Sequence, residues 1–140
     1  MKTAQELRQK LAHYTGVDQI YCHSLVESFN YTAGMRAVFQ HAGNGAYWLG
    51  DIMATEPSIR HAVMKEGFCV ALLQVDGNRA VFSVARDYDE HAEDGSKLDS
   101  VYFTLAIDFT DFPEGTWKFC LTYTRVGDSN VVLALLSSEY

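Results

Sequence analysis

The sequence predicts an α+β fold in which helices in the first half of the chain pack on an antiparallel sheet in the second half. Three observations predict it. Up to Gly67 the apolar residues recur at helical spacing, whereas beyond Gly67 they alternate. Beyond the same point β-branched and aromatic residues replace Ala and Gln. The 140 residues, 48% of them hydrophobic, suit one folded domain with a helical part at 1–66 and a sheet part at 67–140.

Four helices are predicted before Gly67. Thr3 and Glu6 have the T-x-x-E form of a capping box, which begins the first helix, and Thr32 is the N-cap of the second. Pro57 lies near the start of the fourth helix, where its missing N–H costs nothing. The segment 17–31 keeps no period, so it is predicted as an irregular connector. The predicted helices span 4–13, 33–41, 46–54 and 58–65.

Five strands are predicted after Gly67, in the order of an antiparallel meander with the helices on one face. Asp76-Gly77-Asn78 is a link typical of hairpins, and a turn at 111–115 is predicted to join the third and fourth strands. The predicted strands span 68–75, 79–86, 101–109, 117–124 and 131–136. The predicted core residues are Trp48, Leu49, Ile52, Phe82, Phe103, Leu105, Ile107, Trp117, Phe119 and Leu133.

The charge and hydropathy pattern excludes several classes of protein. The formal net charge is −7 and no Lys/Arg cluster occurs, so direct nucleic-acid binding is not expected. The first ten residues lack the apolar stretch of a signal peptide. The longest apolar runs, 68–73 and 131–136, are far shorter than the ~20 residues that a membrane-spanning helix needs. We therefore expect a soluble cytoplasmic protein with no membrane partner.

Cysteine and histidine spacing predicts neither a metal site nor a cofactor. The three cysteines form no C-x-x-C pair, and Cys69 and Cys120 lie inside apolar runs as core residues do. The histidines lack any ligand spacing such as H-E-x-x-H. The G-x-S-x-G element of hydrolases and the glycine-rich phosphate loops are also missing. No catalytic residue is assigned.

A carboxylate on an apolar helix is the first candidate site. Asp51 follows Tyr47 by four residues and Trp48 by three, which places all three on one helical face. Together with Asp111 they form a predicted buried polar cluster. One interpretation is structural, with each carboxylate accepting hydrogen bonds from nearby donors, which for Asp111 are backbone N–H groups of its own loop. The other is a small-molecule-binding or hydrolytic site that uses Asp51 and Tyr47.

An acidic segment at 87–99 is the second candidate. It holds six acidic residues and one lysine, a net charge of −5, between two predicted strands. It is interpreted either as a solvated hairpin loop or as a contact surface for a basic partner protein. Its acidic residues are Asp87, Asp89, Glu90, Glu93, Asp94 and Asp99.

Several short segments resemble a family of small bacterial proteins of unknown function that recur on phages and plasmids. The similarity spans nearly the whole chain. It implies a mobile-element setting, and it supplies neither an activity nor catalytic residues. The segments are Y-T-G at 14–16, Y-T-x-G-M at 31–35, G-A-Y-W-L-x-D-I at 45–52, F-T-D-F-P at 109–113 and S-E-Y at 138–140.

These observations favour a non-enzymatic role in which the protein binds another protein. The mobile-element setting makes a host protein the expected partner and inhibition of a host defence or regulatory complex the expected form. Two alternatives stay open. One is the small-molecule-binding or hydrolytic domain, and the other is a structural homo-oligomer, for instance a dimer that buries the Val132, Ala134 and Leu136 face of the last strand.

Overall fold

A computed structural model describes residues 1–17, 19–89 and 98–140 of the chain. These residues form four α-helices and one seven-stranded mixed sheet, followed by a 3₁₀ turn at Ser137–Glu139. The α+β class is confirmed. The helices are α1 (Ala4–Leu11), α2 (Ala33–His41), α3 (Tyr47–Thr55) and α4 (Pro57–Glu66). The strands are β1 (Ile20–Cys22), β2 (Phe29–Thr32), β3 (Phe68–Asp76), β4 (Arg79–Tyr88), β5 (Leu98–Ile107), β6 (Gly115–Val126) and β7 (Ser129–Leu136).

The helix ends follow the predicted signals. Thr3 and Glu6 exchange both bonds of a capping box at α1, and Thr32 accepts the N–H of Met35 at the start of α2. Pro57 is the first residue of α4. Gly67 ends that helix with a φ of 78°, which only glycine adopts without strain.

The connector predicted at 17–31 is wrong, because it contains β1 and β2. These strands have three and four residues, too few for an alternating pattern to stand out. β2 lies parallel to β7, with Phe29 opposite Val132, while all other neighbouring strands are antiparallel. The sheet is therefore mixed, and not purely antiparallel as predicted.

The predicted meander order is also wrong. The observed order is β1-β2-β7-β6-β3-β4-β5, so β6 pairs with β3 and the chain crosses two strands between β5 and β6. Crossing three interstrand spacings requires about 14 Å. The connecting residues 108–114 can reach about 23 Å when extended. Thr110 N donates to the carbonyl of Asn78 at 2.7 Å, which ties this crossover to the β3–β4 turn.

The core lies between the helices and one face of the sheet, and alternate residues on the opposite face, such as Leu72 and Cys120, are buried as well. Of the predicted core, Leu105 is wrong, because it lies on an edge strand and is 38% exposed. Four others are half-buried at the rim, namely Trp48, Ile52, Phe103 and Ile107. The remaining predicted core residues are buried, namely Leu49, Phe82, Trp117, Phe119 and Leu133.

The β7 face suggested for a homo-oligomer is not exposed. Val132, Ala134 and Leu136 are buried in the core, since β7 is an inner strand between β2 and β6.

Cys69 and Cys120 are buried as predicted, and burial raises the pKa of the Cys69 thiol to about 11. Within residues 1–17, 19–89 and 98–140, no helix is long and apolar enough to cross a membrane.

Candidate protein-binding surface

The outer side of β5, called the open edge below, ends the sheet and is paired with no strand in the described parts of the chain. β5 has ten residues, Leu98–Ile107, and a bulge interrupts its register with β4 between Val84 and Ala85. Beyond the bulge, the five residues 103–107 keep continuous register with β4. An edge strand presents a row of unpaired N–H and C=O groups. The open edge can therefore accept another strand.

Apolar side chains accompany these backbone groups. Leu105 is 38% exposed, Val101 is also exposed, and Phe103 and Ile107 are half-buried. Asp99 is the one charged residue of β5, which contains neither lysine nor proline. Natural proteins commonly use those two residues to prevent unwanted strand pairing. The open edge lacks both deterrents.

A groove of about 440 Å³, called the end groove, lies where β5 ends. Phe109, which is 75% exposed, lines one side of it. Trp48 and Ile52 of α3 line another, and Asp111 contributes a carboxylate. The G-A-Y-W-L-x-D-I and F-T-D-F-P segments thus meet at this groove, which continues the apolar surface of the open edge.

Hydrogen bonds hold the crossover that forms part of the end groove. Asp111 Oδ2 accepts the backbone N–H of Asn44 at 2.9 Å, and Trp117 Nε1 donates to the carbonyl of Pro113 at 2.8 Å. Phe112 is buried with its ring edge-on to that of Trp117. The expectation that Asp111 bonds its own loop is wrong, because its carboxylate binds the turn before α3.

The acidic segment lies at the other end of the open edge. Asp87 and Asp99 are opposite each other in the β4–β5 hairpin, and Asp89 follows β4. Arg86 pairs with Asp99, and this hydrogen bond lowers the pKa of Asp99. The other predicted residues of this surface, Glu90, Glu93 and Asp94, lie outside the described residues.

The predicted buried polar cluster of Tyr47, Trp48, Asp51 and Asp111 is not formed. Tyr47 is 53% exposed, and the side chain of Asp51 is 64% exposed. Asp51 Oδ1 instead accepts a hydrogen bond from His23 Nε2 at 2.8 Å. Asp111 binds Asn44, and Trp48 is half-buried with its ring edge-on to that of Phe112. The Tyr47 ring packs against that of Phe39, so the four residues make four separate contacts.

The hydrogen bonds of His23 show that its contact with Asp51 holds a turn in place. The backbone N–H groups of Leu25 and Val26 both donate to His23 Nδ1, at 3.1 Å each. Because Nδ1 is an acceptor, this bonding pattern assigns the ring hydrogen to Nε2, which donates to Asp51. A general base needs a free ring nitrogen to take a proton. The neighbouring Cys22 Sγ contacts backbone carbonyls and not the imidazole. His23 therefore lacks the free acceptor of a catalytic dyad.

No group of three or more His, Cys, Asp or Glu side chains within residues 1–17, 19–89 and 98–140 could hold a metal ion. Neither Tyr47 nor Asp51 lines the end groove or the cavity beside α1.

A family of unknown function, DUF6876, matches residues 5–140. The chain belongs to DUF6876. This match describes no activity and no association with phages or plasmids. No curated protein and no solved structure matches the chain.

Glu139 is an important residue that sequence reasoning did not identify in this DUF6876 chain. Its carboxylate is buried and accepts three hydrogen bonds, from Thr32 Oγ1 at 2.6 Å, Leu136 N at 2.9 Å and Gly34 N at 3.1 Å. A Cβ at Gly34 would overlap this carboxylate. The negative charge lies at the N-terminus of α2, where the helix dipole favours it. The only signal in the sequence was the pair of segments Y-T-x-G-M and S-E-Y, which meet here.

Proposed function

We propose that the protein is a non-enzymatic binding module that adds a strand of a partner protein to the open edge. The observation that carries this proposal is the ten-residue edge strand β5, whose outer backbone groups have no strand partner in the described chain. In strand addition, backbone hydrogen bonds supply affinity, while side-chain pockets supply specificity. The end groove provides such a pocket for one apolar or aromatic side chain of the partner.

Charge indicates which partner strand fits. The chain carries a formal charge of −7, and Asp87, Asp89 and Asp108 lie near the two ends of the open edge. A strand with alternating basic and apolar residues would be attracted to this surface. In an antiparallel pair of two β5 strands, the acidic hairpin end of each copy would lie beside Asp108 of the other. Repulsion between these like charges favours a basic partner over a second copy.

For the biological setting we propose a mobile element, and the support for it is the resemblance of the short sequence segments to phage- and plasmid-associated proteins. In that setting the chain acts as a single domain over residues 1–140 in the cytoplasm. Its partner is a host protein with a basic surface, and binding inhibits a host defence or regulatory complex. The acidic segment at 87–99 attracts the partner, and the open edge then holds it.

Selection of peptides from a random display library tests this function without knowledge of the natural partner. The proposal predicts that selected peptides alternate basic with apolar residues. Affinities for a selected peptide are then measured by fluorescence polarisation with three proteins: the wild type, Leu105→Lys and Val81→Lys. Leu105 and Val81 are matched in exposure, at 38% and 39%, but Val81 lies on the inner strand β4.

Leu105→Lys should weaken binding by at least about tenfold, because an edge lysine repels the basic strand and disfavours its pairing. Val81→Lys should leave the affinity unchanged. The proposal is wrong if the library yields no peptide above background, or if both lysine variants bind like the wild type. Self-association of the wild type that Leu105→Lys abolishes would instead assign the open edge to a homo-oligomer.

A further inference from the structure

A second surface, unrelated to the open edge, lies where β6 extends beyond its pairing with β7. The β6–β7 ladder stops at the pair Phe119 and Leu136, so residues 116–118 have no β7 neighbour. Helix α1 and the turn at 137–138 flank this stretch. Between them is a pocket of about 730 Å³, a volume within the range of small-molecule sites.

Arg8 is fixed in the wall of this pocket. Its guanidinium carbon lies 3.9 Å from the centre of the Trp117 ring, and Nη2 donates to the carbonyl of Thr116 at 2.8 Å. A Cβ at Gly115 would lie 3.2 Å from Nη2, so glycine leaves room for this arrangement. The guanidinium of Arg has five N–H donors, and this is the one hydrogen bond that the Arg8 side chain makes to the described residues. The remaining donors are available to an acceptor in the pocket.

Lys118 lines the same pocket and is half-buried. It forms no ion pair with any carboxylate in residues 1–17, 19–89 and 98–140. No acidic residue is present among the described residues that line the pocket. Glu139, which follows the lining residue Ser138, turns its carboxylate toward Thr32 and Gly34. Arg8 and Lys118 therefore line one pocket with no counter-charge among its described lining residues, in a chain whose net charge is −7.

The rest of the lining combines apolar side chains with hydroxyl groups. Leu11 and Ala12 supply apolar surface to the pocket. Tyr88 and Ser137 bring hydroxyl groups to the same pocket. Sites for small organic ligands typically combine an apolar lining with a few polar groups that fix orientation. The chemistry of this lining suits a ligand with one anionic end and one apolar body.

We propose that this pocket binds a small organic anion, a phosphate or carboxylate carried on an aromatic or aliphatic group. The anionic group is bound by the free donors of Arg8 and by the charge of Lys118, because charge-assisted hydrogen bonds are the strongest that a protein offers such groups. The apolar body lies against Leu11 and Ala12. This site is independent of partner binding at the open edge.

Titration with phenyl phosphate, followed by amide chemical shifts, tests the proposal on the full chain. Inorganic phosphate and benzyl alcohol, titrated separately, present the anionic and apolar halves alone. We expect saturable shifts at residues 116–118 and 137–138 with phenyl phosphate, and weaker binding of either half. Lys118→Gln and Arg8→Gln should each weaken phenyl phosphate binding by about tenfold or more.

Arg125→Gln is the matched control, because it removes the same charge from an exposed site near Asp128, outside the pocket. It should bind phenyl phosphate like the wild type. Thermal unfolding of each variant checks that the fold is kept, and Lys118→Gln keeps the test valid if Arg8→Gln unfolds. The proposal is overturned if phenyl phosphate gives no saturable shift. It is also overturned if benzyl alcohol binds equally well, or if Lys118→Gln weakens binding no more than Arg125→Gln does.

Discussion

The two edge strands of the sheet differ in length and in the features that block pairing with another strand. At one edge, β1 has three residues, its Tyr21 ring stacks on Tyr31, and the Arg36 guanidinium lies 4.6 Å from the centre of the Tyr21 ring. At the other edge, β5 has ten residues. Short length, nearby cations and bulges are among the devices by which proteins block strand pairing. β1 is short and has a cation beside it. On β5 the bulge and the Arg86–Asp99 pair lie toward the hairpin end, so residues 103–107 are the part of this edge that we propose for a partner.

The segment behind β1 is also fixed by side chains from other elements. β5 is held by its pairing with β4 and by Tyr102, whose hydroxyl donates to Glu66 Oε1 of α4 at 2.8 Å. His23 fastens the turn after β1 to Asp51 of α3, and Glu139 fastens the start of α2 to the end of β7. Stability is therefore expected to depend on contacts at the β1 side. Binding is expected to depend on the β5 side.

Glu139→Ala is expected to cause the largest loss of stability, on the β1 side of the sheet. It leaves the N–H groups of Gly34 and Leu136 and the hydroxyl of Thr32 without their buried acceptor. We expect a loss of about 3 kcal/mol or more in the free energy of unfolding, measured with urea. Glu139→Gln keeps the size and one acceptor oxygen, so it should lose less. Equal stability of Glu139→Ala and the wild type would contradict the assignment of this carboxylate.

His23→Ala tests the turn after β1. The variant removes the acceptor for Leu25 N and Val26 N and the donor to Asp51. We expect unfolding to become easier by about 1–2 kcal/mol and hydrogen exchange at Leu25 and Val26 to accelerate. His13→Ala, at an exposed position, is the control and should change neither. If the two variants behave alike, His23 does not hold this turn.

The parts of this fold that the sequence could predict are those that local chemistry determines. Thr3 and Thr32 as caps and Gly67 as a helix end are local signals, and all three are observed. Strand neighbours are not local. The alternating pattern at 101–109 identifies a strand but cannot say whether the next strand lies beside it or two strands away. The parallel pairing of Phe29 with Val132 joins residues about a hundred positions apart, so no short pattern reveals it.

The candidate site was predictable only in part for the same reason. The acidic segment is visible as composition, whereas the open edge depends on which strand ends the sheet. Leu105 was assigned to the core because its alternation is that of a half-buried strand. Its exposure follows from the position of β5 at the edge. Helical spacing places Asp51 beside Tyr47 and Trp48, and the turn before Pro113 places Asp111 in a loop. Neither pattern reveals their observed partners, His23 and Asn44, which lie in other loops.

The Asp99–Arg86 pair gives a smaller effect with a defined pH dependence. Hydrogen bonding to Arg86 lowers the pKa of Asp99 in the folded state. The pair therefore stabilises the fold at pH values above the ordinary carboxyl pKa of about 3.9, and this contribution is lost as pH falls through the lowered value. The Asp99→Asn variant should therefore unfold at a slightly lower temperature than the wild type near pH 7. In acid the two unfolding temperatures should become equal. A difference that grows toward acid would have the wrong sign.

Leu105→Lys and Val81→Lys are expected to have the smallest effect on stability. Both side chains are more than a third exposed, so each substitution should change the free energy of unfolding by no more than about 0.5 kcal/mol. Urea unfolding measures this. A large loss in Leu105→Lys alone would show that the open edge supports the fold, and its binding data could then not be assigned to strand pairing.

Hydrogen exchange of the backbone amides, with and without a selected basic peptide, tests the central claim most directly. In the free protein, we expect those amides of 103–107 that point away from β4 to exchange rapidly, because nothing in the described chain accepts their hydrogens. Bound peptide should slow these amides and leave those of Ile20–Cys22 unchanged. The account would be contradicted if bound peptide protected the amides of β1 and not those of β5. It would also be contradicted if all amides of 103–107 were already protected in the free protein.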